Sequence, residues 1–383
     1  MATDNNNKVL NVPNLRFPEF SGEWERDSLM NIASISKGSG ISKEQLSDSG
    51  LPCILYGELY TKYKSEVITD IYSKTDIETK GLVSSMANDV IIPCSGEAAI
   101  EIATARCVPM SNILLGGDLN IIRLNGHDGR FFAYQLNGKR KIDIAKVAQG
   151  VSVVHLYGEH LKKINVVYPS FAEQNKIAQL LSLIDERIVT QNKIIEKLES
   201  LIKGIYDKTF ANFSKYLALS SICKIQKGQQ VNGEELSEFG EYYVMNGGIE
   251  PSGYYDKYNT MPNTISISEG GNSCGYIQFN TVPFWSGGHC YTLQGISTEY
   301  NTHFVYHYLK SKEKEIMALR IGSGLPNIQK KDLEKYLIPV LSLETQKSIV
   351  NGINKIETKL KYEKDILSAY QTQKAYLLRN LFI

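Results

Sequence analysis

The chain of 383 residues is short of most of what marks an enzyme, a membrane protein or a secreted one. No apolar run reaches the length of a membrane span, and the opening Met1-Ala2-Thr3-Asp4-Asn5-Asn6-Asn7 lacks the basic and apolar regions of a signal peptide. The expected location is therefore the cytoplasm. Six cysteines, Cys53, Cys94, Cys107, Cys223, Cys274 and Cys290, are scattered without a C-x-x-C pair, which signals neither a zinc site nor a disulfide framework. Net charge is +1, so binding to a polyanion must come from local basic patches and not from the overall field. A phosphate-cradling loop is missing, because Gly38-Ser39-Gly40-Ile41-Ser42-Lys43 has the wrong spacing. Nor is there a dinucleotide fingerprint, or the N-P-P-Y or D-P-P-Y tetrapeptide with which amino-methyltransferases hold a flipped adenine.

Two near-motifs fail on context. Gly271-Asn272-Ser273-Cys274-Gly275 fits a nucleophile elbow, which needs a strand before it and a helix after it. Thr264 to Ser268 supplies the strand, but Tyr276-Ile277-Gln278-Phe279 continues as strand, so a glycine-rich hairpin is expected. His303 and His307 stand four apart, yet no glutamate lies between them and no third ligand is near in sequence. Packing or solvent contact is the better reading of both histidines, and no metal site is assigned.

What the chain does contain is periodicity. Ile177, Leu181, Ile184, Ile188, Gln191, Ile195, Leu198, Ile202 and Ile205 fill alternating three- and four-residue steps, apolar except at Gln191. This period of 3.5 keeps one seam facing a partner helix, and at 1.5 Å per residue the seam is about 42 Å long. A second seam lies 172 residues on, at Ile349, Ile353, Ile356, Leu360, Glu363, Leu367, Tyr370, Lys374 and Leu377. Its polar positions are Glu363, in the phase of Gln191, and Lys374. Matching length and phase favour burial of the two seams on each other within one chain. Packing of each helix on its own domain, or dimerisation of two chains, are the alternatives.

The seams close two copies of a larger unit. Leu29, Ile32, Ile35, Lys37, Gly38, Ile41, Leu46, Gly50, Ile54 and Gly57 recur at an offset of 190 as Leu219, Ile222, Ile225, Lys227, Gly228, Val231, Leu236, Gly240, Val244 and Gly247. Phe132, Tyr134, Gly150, Leu161, Lys163 and Gln174 recur at 172 as Phe304, Tyr306, Gly322, Leu333, Lys335 and Gln346. The first copy thus carries about 18 extra residues between Gly57 and Phe132. Constant ends around a varying middle describe a fixed scaffold with a tailored region, where recognition usually sits. Short β-type runs between glycine-rich turns predict an α+β fold: two similar domains, mainly β, separated by two long helices that form an antiparallel intramolecular coiled coil. The divisions expected are an N-terminal arm at 1–23, domain one at 24–170, helix one at 171–214, domain two at 215–341 and helix two at 342–383. The arm, with Pro13, Pro18 and large apolar residues at Leu15, Phe17 and Phe20, is expected to lie extended on a surface.

Several of these residues carry a resemblance. Pro13-Asn14-Leu15-Arg16-Phe17-Pro18-Glu19-Phe20 followed by Gly22-Glu23-Trp24-Glu25, the start Ile35-Ser36-Lys37-Gly38 echoed by Ile225-Gln226-Lys227-Gly228, and above all Pro169-Ser170-Phe171-Ala172-Glu173-Gln174-Asn175-Lys176-Ile177-Ala178 look like the DNA specificity subunit of type I restriction–modification systems. Gly322-Ser323-Gly324-Leu325-Pro326-Asn327-Ile328 is family-like too, whereas 150–156 keeps only the glycine and the apolar ends. The lead-in to the second helix departs from the pattern, since Pro339 lies two residues further upstream of Leu343-Glu344-Thr345-Gln346. The resemblance covers the chain from about Pro13 onward.

It implies two target-recognition domains, each reading one half of a split, asymmetric double-stranded DNA sequence. It implies spacer helices that set the unread gap and dock two methyltransferase subunits, with restriction and translocase subunits in the full complex. The chain itself is then non-catalytic and binds no cofactor; S-adenosylmethionine, ATP and Mg belong to the partners.

Lys37 and Lys227, at matched places, are the first candidates for phosphate or base contact. Tyr56 and Asn246 stand beside the matched glycines and follow, Asn being able to read adenine by paired hydrogen bonds. The glycine-rich, hydroxyl-bearing turns add Ser95, Gly271, Asn272, Ser273, Gly322 and Ser323, and Lys139-Arg140-Lys141 offers a phosphate stripe or a solvated face. A coiled-coil assembly adaptor without sequence readout is the alternative function. A self-contained methyl-transfer or restriction enzyme is disfavoured by the missing cofactor motifs.

Overall fold

The apolar residues spaced by three at the start of each copy form a strand, one helical turn and a second strand. These are Glu25–Ser28, Leu29–Ile32 and Ala33–Lys37 in the first copy, and Tyr216–Ala218, Leu219–Ile222 and Lys224–Lys227 in the second. The computed structural model describes residues 10–322, 324 and 326–383. In each turn the first and last residues, Leu29 with Ile32 and Leu219 with Ile222, face one side and are buried.

Both copies then build the same sheet. In the first, antiparallel strands run in the order Ala33–Lys37, Leu119–Leu124, Asp89–Pro93, Arg106–Val108; in the second, Lys224–Lys227, Cys290–Gln294, Thr264–Ser268, Ile277–Asn280. Val90, Ile91 and Ile92 form an unbroken apolar run because their strand is covered on both faces. Val90 and Ile92 enter one core with Phe131, Phe132 and Tyr134, while Ile91 and Ile121 enter another on the opposite face. Thr264–Ser268 alternates instead: Ile265 and Ile267 enter the main core, and Ser266 on the other face accepts a hydrogen bond from Asn280 Nδ2 at 2.9 Å. The strand Ile277–Asn280 pairs back antiparallel with Thr264–Ser268, so Gly271 to Gly275 is the turn of a hairpin.

A smaller sheet lies against each large one, with one parallel pair in each copy: Leu51–Ile54 beside Leu114–Leu115, and Tyr242–Met245 beside Trp285–Ser286. Most of the first copy's extra length falls between Gly57 and Asp89, where it adds a helical turn, Glu58–Thr61, ahead of the strand Ser73–Thr75, whose counterpart in the second copy is Tyr254–Tyr255. Glu58 ties this insertion together, accepting from Leu55 N at 2.9 Å and Lys62 Nζ at 2.7 Å, and from the Ser73 hydroxyl.

Long helices occupy Phe171–Thr209 and Leu343–Asn380. The repeated glutamine explains where each is fastened. Gln174 Oε1 accepts from Asp128 N at 3.0 Å and its amide donates to Pro169 O at 2.8 Å; Gln346 Oε1 accepts from Asn301 N at 2.8 Å and donates to Leu341 O at 2.9 Å. Asp128 and Asn301 are in turn the N-caps of the domain helices Gly129–Asn137 and Thr302–Ser311. One buried side chain therefore joins a long helix to the capping residue of a domain helix, twice over.

The chain forms two compact units, Met1–Asn192 with Asp365–Ile383, and Lys193–Lys364, so each unit holds half of each long helix. Within the first, Ile177, Leu181 and Ile184 share a core with Leu377, Leu381 and Phe382, and Arg187 Nη1 reaches the Tyr370 hydroxyl at 3.2 Å. Rising numbers on one helix meet falling numbers on the other, so the halves pair antiparallel. In the second unit the Tyr206 hydroxyl meets Glu357 Oε1 at 3.2 Å and Lys364 meets Glu199 at 2.7 Å, the same sense. Of the seam positions Ile177, Leu181, Ile184, Gln191, Ile195, Ile353, Glu363 and Leu377 are buried; Ile188, Leu198, Ile202, Ile205, Ile349, Ile356, Leu360, Leu367, Tyr370 and Lys374 are half-buried. Each fully buried aliphatic side chain contributes about 1.5–3 kcal/mol.

The arm is tied to the first unit by charge and backbone. Arg16 makes a two-pronged contact with Glu173, 2.8 Å at each oxygen, and Leu15 N donates to Asn380 O at 2.9 Å. No described helix is long and apolar enough to cross a membrane.

Candidate nucleic-acid interface

The strand that ends at Lys227 delivers that lysine to the rim of a cleft in the second domain. The cleft, about 560 Å³, is lined by Lys227, Asn246, Gly247, Ser252, Glu269, Gly270, Gly271, His289, Pro326 and Asn327. Three of the residues singled out from sequence, Lys227, Asn246 and Gly271, are thus brought together. Two strand ends and a glycine contact shape the wall. A Cβ at Gly247 would lie 2.7 Å from Gly270 O, so these backbones approach as only glycine allows, and Ser268 Oγ donates to Gly247 O at 2.9 Å.

Glu269, the first residue past a buried strand, organises the floor. Its Oε1 accepts from Lys227 Nζ at 2.6 Å and from the Tyr291 hydroxyl at 2.9 Å. Burial, reinforced by that hydrogen bond to Glu269, pushes the Tyr291 phenol well above its ordinary range. His289 Nδ1 stands 3.5 Å from Oε2, and the His289 backbone N–H donates to Asn246 Oδ1 at 2.9 Å. Asn246 therefore props the loop that carries His289. Asn272, exposed, and Ser273, half-buried, sit in the hairpin turn beyond Gly271 and do not line the cleft. Gly322, in left-handed backbone at φ +95°, lies in the loop closed by the Ile321–Asn327 bridge, and Ser323 lies outside the described residues.

The first domain has a corresponding but differently furnished region. Lys37 is exposed, opposite Asn120 in the strand register, and its charge opposes the burial that pushes the Cys94 thiol up to about 11. Tyr56 rims a cleft of about 470 Å³ with Gly40, Ile41, Ser42, Gln45, Leu55, Gly116, Gly117 and Asp118, of which Lys37 is not a part. Gly38 fixes the turn between them, since a Cβ there would lie 2.0 Å from Gly116 O. Ser95 pairs with His155, and its carbonyl takes the Tyr60 hydroxyl at 2.9 Å. Lys139 is exposed; Arg140 is engaged by the Ile383 carbonyl at 3.2 Å and by Asp143 at 3.4 Å.

Sequence reasoning missed Glu269, His289 and Asn327. A carboxylate closing the otherwise neutral run Thr264-Ile265-Ser266-Ile267-Ser268 was the available signal for the first. The other two are joined to it only by the fold. His303 and His307 lie on the helix Thr302–Ser311, where His307 bonds Tyr206 at 2.9 Å and Asn354 at 3.0 Å; burial pushes its imidazole down to about 4. Among the described residues no group of His, Cys, Asp or Glu is placed to hold a metal ion.

A sequence model of the family described as the type I restriction modification DNA specificity domain matches residues 21–200 and 214–369. The chain belongs to that family. Its two specificity-domain matches fall on the two copies traced above. A Mycoplasma pneumoniae protein named as a type I specificity subunit is 31% identical over 176 residues, 45% of this chain and 46% of that protein. With a Mycoplasma genitalium counterpart, 35% identical over 144 residues, the shared part is 37% of each chain; the chain thus spans less than half the length of these two relatives. A type I restriction enzyme specificity subunit of Methanocaldococcus jannaschii is 24% identical over 360 residues, 82% of this chain and 83% of its own. Among solved structures, the type I restriction–modification S subunit from M. genitalium superposes with a TM-score of 0.73 at 22% identity, covering 97% of this chain and 99% of that one. The likeness shows that specificity-domain chains of this kind share one fold.

Proposed function

We propose that this chain is the sequence-specific DNA-binding subunit of a type I restriction–modification complex, each domain reading one half of a bipartite, asymmetric target. One observation carries the reading: two domains of identical strand order present different side chains at corresponding places. Lys227 pairs with Glu269 in one, while in the other the place of Glu269 is taken by Cys94 and Lys37 makes no ion pair among the described residues. One scaffold with two polar linings suits two different half-sites.

The helices set the spacing and dock two methyltransferase subunits. Supporting this, the first long helix leaves Leu183, Val189, Ile194 and Leu201 exposed, and the second leaves Tyr362, Ile366 and Tyr376 exposed. The partners supply S-adenosylmethionine chemistry at adenine N6, and restriction subunits supply ATP- and Mg-dependent cleavage; this chain, in the cytoplasm, supplies the address and no catalysis. Most contacts go to phosphates and make affinity salt-dependent, while a few base-edge contacts set the sequence.

The test is single-molecule sequencing of a host carrying the gene and its methyltransferase partner, with and without this gene. N6-methyladenine gained at one split, asymmetric motif is the expected result. No motif, with the partner active and bound, overturns the proposal.

A further inference from the structure

Lys227 and Lys37 are matched by sequence and by register, yet their electrostatic surroundings are opposite. Each ends the first strand of its large sheet, and the place to compare beside each is the first residue past the central strand. That residue is Glu269 in the second domain and Cys94 in the first, equivalent because Ile328 N donates to Glu269 O and Leu156 N to Cys94 O, both at 2.8 Å. Glu269 is 9% exposed and pairs with Lys227 at 2.6 Å, while its other oxygen receives no hydrogen bond. Lys37 makes no ion pair among the described residues.

We infer that Lys227 reads a guanine in the half-site of the second domain, that Glu269 is the positioning residue which aims it, and that Lys37 contacts a phosphate. The inference rests on the DNA-reading role proposed above. A lysine already neutralised by a carboxylate gains little from the general field of a polyanion, but it keeps its directional N–H bonds. Side-chain rotation is restricted when the ammonium is tethered, and a tethered donor at a cleft rim suits the paired N7 and O6 acceptors of guanine in the major groove. Thymine shows one acceptor there, and adenine sets a donor beside its own. A lysine without a counter-ion, like Lys37, retains its full charge and suits the sequence-independent phosphate.

The experiment uses the full chain reconstituted with its methyltransferase partners, with duplexes varied base by base. Lys227→Ala is expected to relax discrimination at one guanine of one half-site by about ten- to a hundredfold, leaving the other half-site as sharp as before. Glu269→Gln is expected to relax the same base pair, though the lysine remains, which a merely structural role does not do. Lys37→Ala is expected to weaken all duplexes alike and lower the slope of log affinity against log salt by about 0.9, with the motif unchanged. The unaffected half-site reports folding in every variant. Uniform weakening by Lys227→Ala, or loss of both half-sites by Glu269→Gln, overturns the assignment, as does loss of one base preference in Lys37→Ala. An unchanged motif in all three variants overturns it while leaving the DNA-reading role standing. A wild-type complex that marks no split motif removes both.

Discussion

Lys374 shows what a polar residue in an apolar seam can be for. Its ammonium meets Asp185 Oδ1 and Glu66 Oε2, each at 2.6 Å, and the Tyr134 hydroxyl donates to Asp185 Oδ2 at 2.7 Å. Burial pulls the ammonium down, but Glu66 and Asp185 outweigh it and leave Lys374 above its usual range. Lys374→Met strands two carboxylates in a largely dry site and is expected to cost about 3–5 kcal/mol, read as a lower urea midpoint. The lysine's contribution is complete below about pH 10.5 and is lost as pH rises through its raised value. His307 behaves with the other sign. Held neutral by burial with its pKa pushed down to about 4, it takes up a proton first in the unfolded chain. Stability is therefore full above about pH 6.5 and falls by up to about 3 kcal/mol as pH drops toward 4. Glu357, pushed up by burial, partly offsets this at the acid end. His307→Phe is expected to flatten the slope of urea midpoint against pH between 4 and 6.5; an unchanged slope refutes the assignment.

At the scale of elements, the glycine turns decide which strands meet. A Cβ on Gly228 would lie 2.3 Å from both Gly287 O and Ser286 O, backbone atoms that have no rotamer to move into. Gly228→Ala is expected to cost about 1–3 kcal/mol and to loosen the loop carrying His289, seen as faster amide exchange at Gly287 to Cys290. These elements were largely legible beforehand. The 3.5-residue period marked both long helices because a seam must repeat to stay buried, and Gln174 and Gln346 stood out because both copies need one side chain to fasten a helix start. The extra helical turn of the first domain was legible only as added length. Glu58, which organises it, touches Ser73, fifteen residues on, and no local pattern announces such a contact.

The whole molecule is a duplication, and its function is argued at that scale. Replacing residues 24–170 with a second copy of 215–341 is expected to yield a methylation motif built from two copies of one half-site, checked by sequencing the modified host genome. Retention of the original asymmetric motif refutes the assignment of one half-site to each domain. The candidate site was legible only where duplication exposed it. Lys37 and Lys227 were found because they recur, and Asn246 because it adjoins a recurring glycine. Glu269 and His289 have no like partner in the other copy, so repetition hid the residues that make the second cleft different.

The contact of Glu66 with Lys374 reaches beyond stability into descent. Glu66 belongs to the stretch that the first domain has and the second largely lacks, whereas Lys374 lies on the second long helix. A gene that acquires a foreign segment across residues 58–88 keeps its helix but receives whatever side chain the donor carried at 66. Donors with an acid there are accepted silently; donors without one leave the seam lysine with a single counter-charge. Any segment exchanged across residues 58–88 must therefore fit the resident helix as well as its own domain, because Lys374 keeps both of its counter-charges only with an acid at 66.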